Sequence, residues 1–189
     1  METPAAKLQR VLRDEVAIVP YDTRWPALFR AEKQHLLACL PADLVGRIEH
    51  CGSTAVPGLA AKPIVDMLVE VADLEATRRR IAPILEAQGY DYFWRPTHGD
   101  DGPPFYAWFI KRDPRTGART HHIHMVEAGF AGHWDWLRFR DHLAVHPEAA
   151  AAYAALKRRL AADFPHDRAA YTEGKSAFIA GIMERARGG

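Results

Sequence analysis

The residue that most constrains this chain is Asp66, a carboxylate in the middle of PIVDMLVEV, where the apolar and β-branched neighbours read as a buried strand. Side chains alternate along a strand, so Asp66, Leu68 and Glu70 share one face, and Val65, Met67 and Val69 share the other. An unpaired carboxylate taken out of water is costly. Asp66 therefore has to meet a cation, a metal or strong donors, or lie where the sheet face opens into a cleft. Upstream, HCGSTAVPGLAAK places Gly52-Ser53 at a strand-to-turn junction.

The rest of the chain supplies the frame. Its 189 residues, 48% hydrophobic and 26% charged, suffice for one filled core and are too few for two independent ones. We expect a single domain over residues 1–189, with a core over about 14–130 and a helical part over about 131–189. Residues 1–13 read as a helical or frayed lead-in, and EVAIV (15–19) as a short strand ended by Pro20. From Thr23, a potential N-cap, TRWPALFRAEKQHLLACL carries Trp25, Leu28, Phe29, Leu36, Leu37 and Leu40 as a helical stripe ending at Pro41. Strands are expected at 45–50, 63–71, 91–95, 105–111 and 119–127. A helix capped by Asp73 and stopped by Gly89 separates the second of these from the third. From Gly132 to Arg187 the pattern is helical, broken near Pro147 and Pro165. The order predicts an α+β fold, a mixed sheet packed by helices with a C-terminal helical segment. Trp94, Tyr106, Trp108 and Phe109 alternate as strand residues packed by helices do, which makes them core.

Composition narrows the partners. A net charge of +1 with acids and bases interspersed gives no broad positive field, so no nucleic-acid partner is expected. The two cysteines, Cys39 and Cys51, have no paired spacing, which argues against a disulfide framework or structural zinc and fits a reducing cytoplasm. No signal peptide and no run of about 18 apolar residues is present, so no membrane partner is expected.

HHIHM adds a second chemical feature. His122 and His124 share a strand face while His121 points to the other, and paired imidazoles can bind a transition metal or move protons on a phosphoryl group. The expectation is one polar cleft lined by His50, Asp66, His122 and His124, with all four as metal ligands and Asp66, His122 and His124 as the catalytic set. Histidine-triad chemistry is disfavoured, because Val126 stands where a third alternating histidine would be. Lys62, at the mouth of the Asp66 strand, is placed to reach a phosphate held at Ser53. Glu70 lies too far along the strand to assist Asp66 and reads as a solvated or helix-facing residue.

These stretches, together with VPYDTRWPALFRAE, LRFRDHLAVHPEAAAAYAALKRRLA and YTEGKSAFI, resemble the GrpB family over nearly the whole chain. That family in turn resembles the nucleotidyltransferase superfamily. Its pattern is Gly-Ser, then Asp, an apolar residue and a second acid, on a nucleotidyltransferase-like sheet. Gly52, Ser53 and Asp66 match, and Leu68 stands where the second acid belongs. The resemblance implies that Gly52 and Ser53 cradle phosphate, that Asp66 holds a divalent metal (Mg, Mn or Zn), and that Arg138 and Arg140 contact the ligand. Lys62 joins that phosphate-binding set. Two functions stay open. One is a metal-dependent nucleotidyl or phosphoryl transferase acting on a small molecule. The other is a nucleotide- or phosphate-binding accessory module without catalysis, since some relatives carry a similar domain joined to dephospho-CoA kinase. In both, the partner is a nucleotide or phosphorylated small molecule. Oligomeric state is not legible.

Overall fold

A computed structural model describes residues 15–96 and 103–188, so the lead-in expected over 1–13 lies outside the described residues. Five strands form one sheet: β1 (Val45–Cys51), β2 (Val65–Val71), β3 (Asp91–Pro96), β4 (Phe105–Arg112) and β5 (Arg119–Val126). Their order is β1-β2-β5-β4-β3, with β2 and β5 parallel and every other pair antiparallel. All five lie where hydrophobic alternation places them.

Helix α1 (Trp25–Cys39) opens differently from expectation. Thr23 does not cap it. Arg24 is the capping residue without a side-chain cap, and Asp22 instead accepts the Arg24 backbone N–H at 2.8 Å. Trp25, Leu36 and Leu40 are buried, whereas Leu28 and Leu37 are 44% and 52% exposed. The sheet covers an arc narrower than the apolar stripe. Helix α2 runs Leu74–Ala76, then a π-helical Thr77–Ile81, then Ala82–Ala87. Pro83 lacks the N–H that would bond one turn back and its ring crowds that carbonyl, which accounts for the widened turn. Asp73 caps the helix and Gly89, at φ +87°, ends it.

The expected strand at 15–19 does not form; Val19 makes a single bridge to Ala61. Val16 instead packs with Leu160 and Tyr171 of the C-terminal part. Four helices build that part: α3 (Ala131–Val145), α4 (Pro147–Asp163), α5 (Arg168–Glu173) and α6 (Ser176–Gly188). Pro147 starts α4, and the chain breaks again at Pro165, as the sequence pattern requires.

The two sheet faces bury different cores. Met67, Val69, Phe109, Ile123 and Met125 pack with Trp25, Leu36, Ile81 and Leu85 of α1 and α2. On the opposite face Cys51, Leu68, Tyr106, Trp108 and Ile110 meet Trp134, Trp136 and Leu137 of α3. Trp94 is half-buried at the margin of the first core, under the Arg78 guanidinium, while Tyr106, Trp108 and Phe109 are buried as expected. Among the described residues no helix is long and apolar enough to cross a membrane. Phe109→Ala, at a fully buried site, is expected to cost about 3–5 kcal/mol in a urea titration. Leu37→Ala should change stability by less than about 0.5 kcal/mol.

Candidate functional site

The site begins with strand register. Parallel pairing sets Asp66 beside His122 and Leu68 beside His124, so the two histidines emerge on the face that carries Asp66. His122 Nδ1 lies 3.1 Å from Asp66 Oδ1. One ligand atom from each of Asp66, His122 and His124 falls within 4.8 Å of the others. Both histidines are buried, at 8% and 9% exposure.

Gly52 closes this arrangement from the β1 side. Its φ is +68°, and a Cβ added there would meet Asp66 Oδ2 at 2.5 Å. Glycine is thus needed twice, for the left-handed backbone and for the approach to the carboxylate. Ser53 opens the following 3-10 turn (Ser53–Ala55), and its hydroxyl engages the phenol of Tyr153 on α4.

Electrostatics sort the charges. Burial pushes the Asp66 carboxyl up, but the His122 hydrogen bond and the charges of His122, His124 and Lys62 outweigh it, holding the group down at about 2. Burial lowers His122 to about 4 despite Asp66, and it lowers His124 well below the ordinary imidazole range. Asp66 is therefore ionised and both imidazoles are neutral near pH 7. With Nδ1 of His122 against the carboxylate, that nitrogen carries the proton and donates it. Its Nε2 faces the Arg119 guanidinium at 3.4 Å. The His124 ring is boxed by Tyr106, Trp108 and Trp136, and its buried Nδ1 has no hydrogen-bond partner among the described residues.

The donor set suits a divalent transition metal better than magnesium, because imidazole favours zinc, iron and their neighbours. Ligands about 2.0–2.2 Å from one ion can be no more than roughly 4.4 Å apart, so the 4.8 Å spread asks for a small side-chain rotation. The orphaned His124 nitrogen fits such a role. His122 must exchange either its Asp66 or its Arg119 contact to join.

Not every expected member is present. His50 pairs in register with Met67, so it points to the other face, stacks on Phe29 at 4.8 Å and bonds Thr54 at 3.0 Å. Its alternation relative to Asp66 could not be read without the register between β1 and β2. Arg140 clamps α3 to β1, donating to the His50 carbonyl at 2.8 Å and pairing with Asp141 and Glu49. Arg138 pairs with Asp135 and lines a different surface groove with His142, His146 and Arg185. Glu70 is held by Arg47 at 2.8 Å, as a structural residue.

Lys62 does come within electrostatic reach of Asp66, and two further lysines do so as well. Lys62 and Lys175 share the Tyr171 ring, with Nζ 5.2 and 4.6 Å from its centre. Lys157, 2% exposed, stands 4.7 Å from the Tyr153 ring centre and donates to the Ala60 carbonyl. Sequence reasoning missed Lys157. Its signal was a lysine inside the buried stripe of α4, alongside Tyr153, Ala154 and Leu160.

The fold and site can now be set beside known proteins. The family model described as GrpB protein matches residues 15–185. This chain belongs to the GrpB family. The crystal structure of the conserved protein GrpB from Enterococcus faecalis is similar at 33% identity and a TM-score of 0.76, over 90% of this chain and 96% of that one. The UPF0157 protein PA4798 of Pseudomonas aeruginosa is 41% identical over 92% of this chain and 68% of its own length. A dephospho-CoA kinase of Mycolicibacterium paratuberculosis is 29% identical over 94% of this chain, which spans 47% of that protein.

Two outcomes are expected from this geometry. Gly52→Ala should destabilise by more than the roughly 1–2 kcal/mol of a left-handed residue, because it also displaces Asp66; a thermal melt and the His122 imidazole signals in NMR would report both. Loss of solvent lowers buried His122 and half-buried His50 to about 4 from the ordinary 6.5. Between those pH values the unfolded chain binds protons that the folded chain refuses, so stability falls as pH drops through that window. Melting temperatures from pH 7.5 to 4.5 should show the decline, and His50→Gln should flatten it.

Proposed function

We propose that the Asp66 site performs metal-dependent nucleotidyl or phosphoryl transfer to a small molecule, on a sheet of nucleotidyltransferase type. The observation that carries this reading is the convergence of Asp66, His122 and His124 at one point, with the Gly52-Ser53 turn and Lys62 beside it. Asp66, His122 and His124 would hold the ion. When bound, a divalent cation neutralises phosphate charge and lowers the barrier to attack by a hydroxyl.

The chain's own groups have separate tasks in this reading. Ser53 and Lys62 hold phosphate oxygens by charge-assisted hydrogen bonds. Asp66 keeps the His122 proton on Nδ1 and so fixes the ring's orientation. His124, neutral and walled by aromatic rings, has a single free lone pair, so it would accept the proton of the attacking hydroxyl only where Asp66 and His122 hold the ion without it. The aromatic wall also limits the entry of water, which would compete as acceptor.

One observation favours the second reading, a phosphate-binding accessory module. Leu68, where a second metal-binding acid would stand, is fully buried among Cys51, Tyr106 and Trp108. The similarity to part of a dephospho-CoA kinase supports the same alternative. A thermal-shift screen of nucleoside triphosphates with Mg²⁺, Mn²⁺ or Zn²⁺, followed by turnover assays, separates the two. Transfer chemistry predicts a metal-dependent shift and product formation, both lost in Asp66→Asn. At a hundred times its dissociation constant a ligand adds about 2.7 kcal/mol, which a melt resolves. A shift without any turnover would sink the transferase reading and leave the accessory module.

A further inference from the structure

Lys62, Lys157 and Lys175 come from three separate parts of the chain. Lys62 precedes β2, Lys157 lies within α4, and Lys175 occupies the turn between α5 and α6. No local periodicity requires them to meet, yet their ammonium groups are close enough to repel one another and all are drawn toward Asp66. Two of them flank a single buried tyrosine, and the third is almost wholly enclosed. Three lysines facing one carboxylate, Lys157 fully enclosed and Lys62 and Lys175 half-buried, leave the place net positive whenever the ammonium groups are protonated. Such an arrangement lowers stability unless a ligand compensates it.

We propose that Lys62, Lys157 and Lys175 form a binding site for a chain of two or more phosphates, whose end lies against Ser53 and Asp66. The proposal deepens the phosphate-ester reading of the Asp66 site and rests on it for the orientation of the chain.

Charge and shape select this ligand class. A phosphate monoester brings about 1.5 to 2 negative charges, but the ammonium groups are spread over two tyrosine rings, Lys62 and Lys175 at Tyr171 and Lys157 at Tyr153, an arrangement that a chain of phosphates can follow and a single phosphate cannot. A cation on Asp66 would raise the positive excess and favour a longer phosphate chain still. Burial and repulsion from neighbouring lysines lower Lys62 and Lys157 to about 7, and burial lowers Lys175 to about 8, shifts that a bound anion would reverse. Tyr153 and Tyr171 wall the site, and Ser53 already engages Tyr153. Lys62 also lines a cavity of about 230 Å³ with Arg119, Arg168 and Glu15, which leaves room beyond the lysines for the rest of a small molecule.

The test is calorimetric titration of the whole chain, in EDTA, with inorganic tripolyphosphate and with orthophosphate. Tripolyphosphate is expected to bind at least tenfold tighter than orthophosphate. Lys62→Gln and Lys175→Gln should each weaken it tenfold or more without lowering the unliganded melting temperature. Lys157→Met, which fills the same buried space, gives a third variant should either glutamine substitution fold poorly. Asp66→Asn should strengthen metal-free tripolyphosphate binding by removing the negative charge that faces the lysines. Failure of tripolyphosphate to bind, or binding unchanged in the lysine variants, would overturn the proposal. Adenosine triphosphate distinguishes a nucleotide, which binds tighter than tripolyphosphate, from a bare phosphate chain, which binds equally; both outcomes support the site. Binding of Mn²⁺ alone is measured separately. Lost Mn²⁺ binding with retained tripolyphosphate binding would remove the metal reading and leave the lysine site standing, and the converse would do the reverse.

Discussion

An ionised carboxylate held inside a sheet has to be surrounded by donors and cations, and the parallel pairing of β2 with β5 provides the first of them. That register puts His122 next to Asp66 and His124 one step further on. Because burial keeps both imidazoles neutral, His122 serves Asp66 as a hydrogen-bond donor, while the compensating charge is left to Lys62 and its neighbours. The glycine at position 52 follows from the same constraint, since any side chain there would occupy the space of the carboxylate oxygen.

The remaining structure divides along the two faces of the sheet. One face is sealed by α1 and α2 over an aliphatic core, and it is there that His50 is spent on Phe29 and Thr54. The other face is only partly apolar. Helix α3 covers its aromatic portion and is clamped to β1 by Arg140 and, through Trp134, by Arg47 at 3.6 Å. Helices α4 to α6 then close over the loop between β1 and β2, with Tyr153 and Ala154 packing on Val56 and Leu59. The polar site lies where these two coverings meet, which is why it combines a half-buried carboxylate with one buried and two half-buried lysines.

Membership of the GrpB family and the match to the Enterococcus faecalis structure agree with this architecture, a five-stranded mixed sheet packed by helices. They do not assign chemistry. The chemistry proposed here rests on this chain's own donors. Leu68 distinguishes them from a pair of acids, and the two imidazoles make the donor set softer than a cluster of carboxylates.

Much of the fold was legible because hydrophobic periodicity and its punctuation are local. All five strands, the Asp73 cap, the Gly89 stop and the breaks at Pro147 and Pro165 depend on a few adjacent residues. The strand expected at 15–19 failed because a strand needs a partner along its length, and this segment has only scattered ones, Ala61 outside the sheet for Val19 and the Pro165 carbonyl for Val16. The face shared by Asp66 and Leu68, and that shared by His122 and His124, followed from strand alternation alone. Whether those two faces coincide, and whether that of His50 joins them, depended on pairing register, a relation between segments far apart in sequence. The meeting of Lys62, Lys157 and Lys175 likewise belongs to tertiary structure, because each lysine sits in a pattern that local forces treat as ordinary, and only packing brings their charges together.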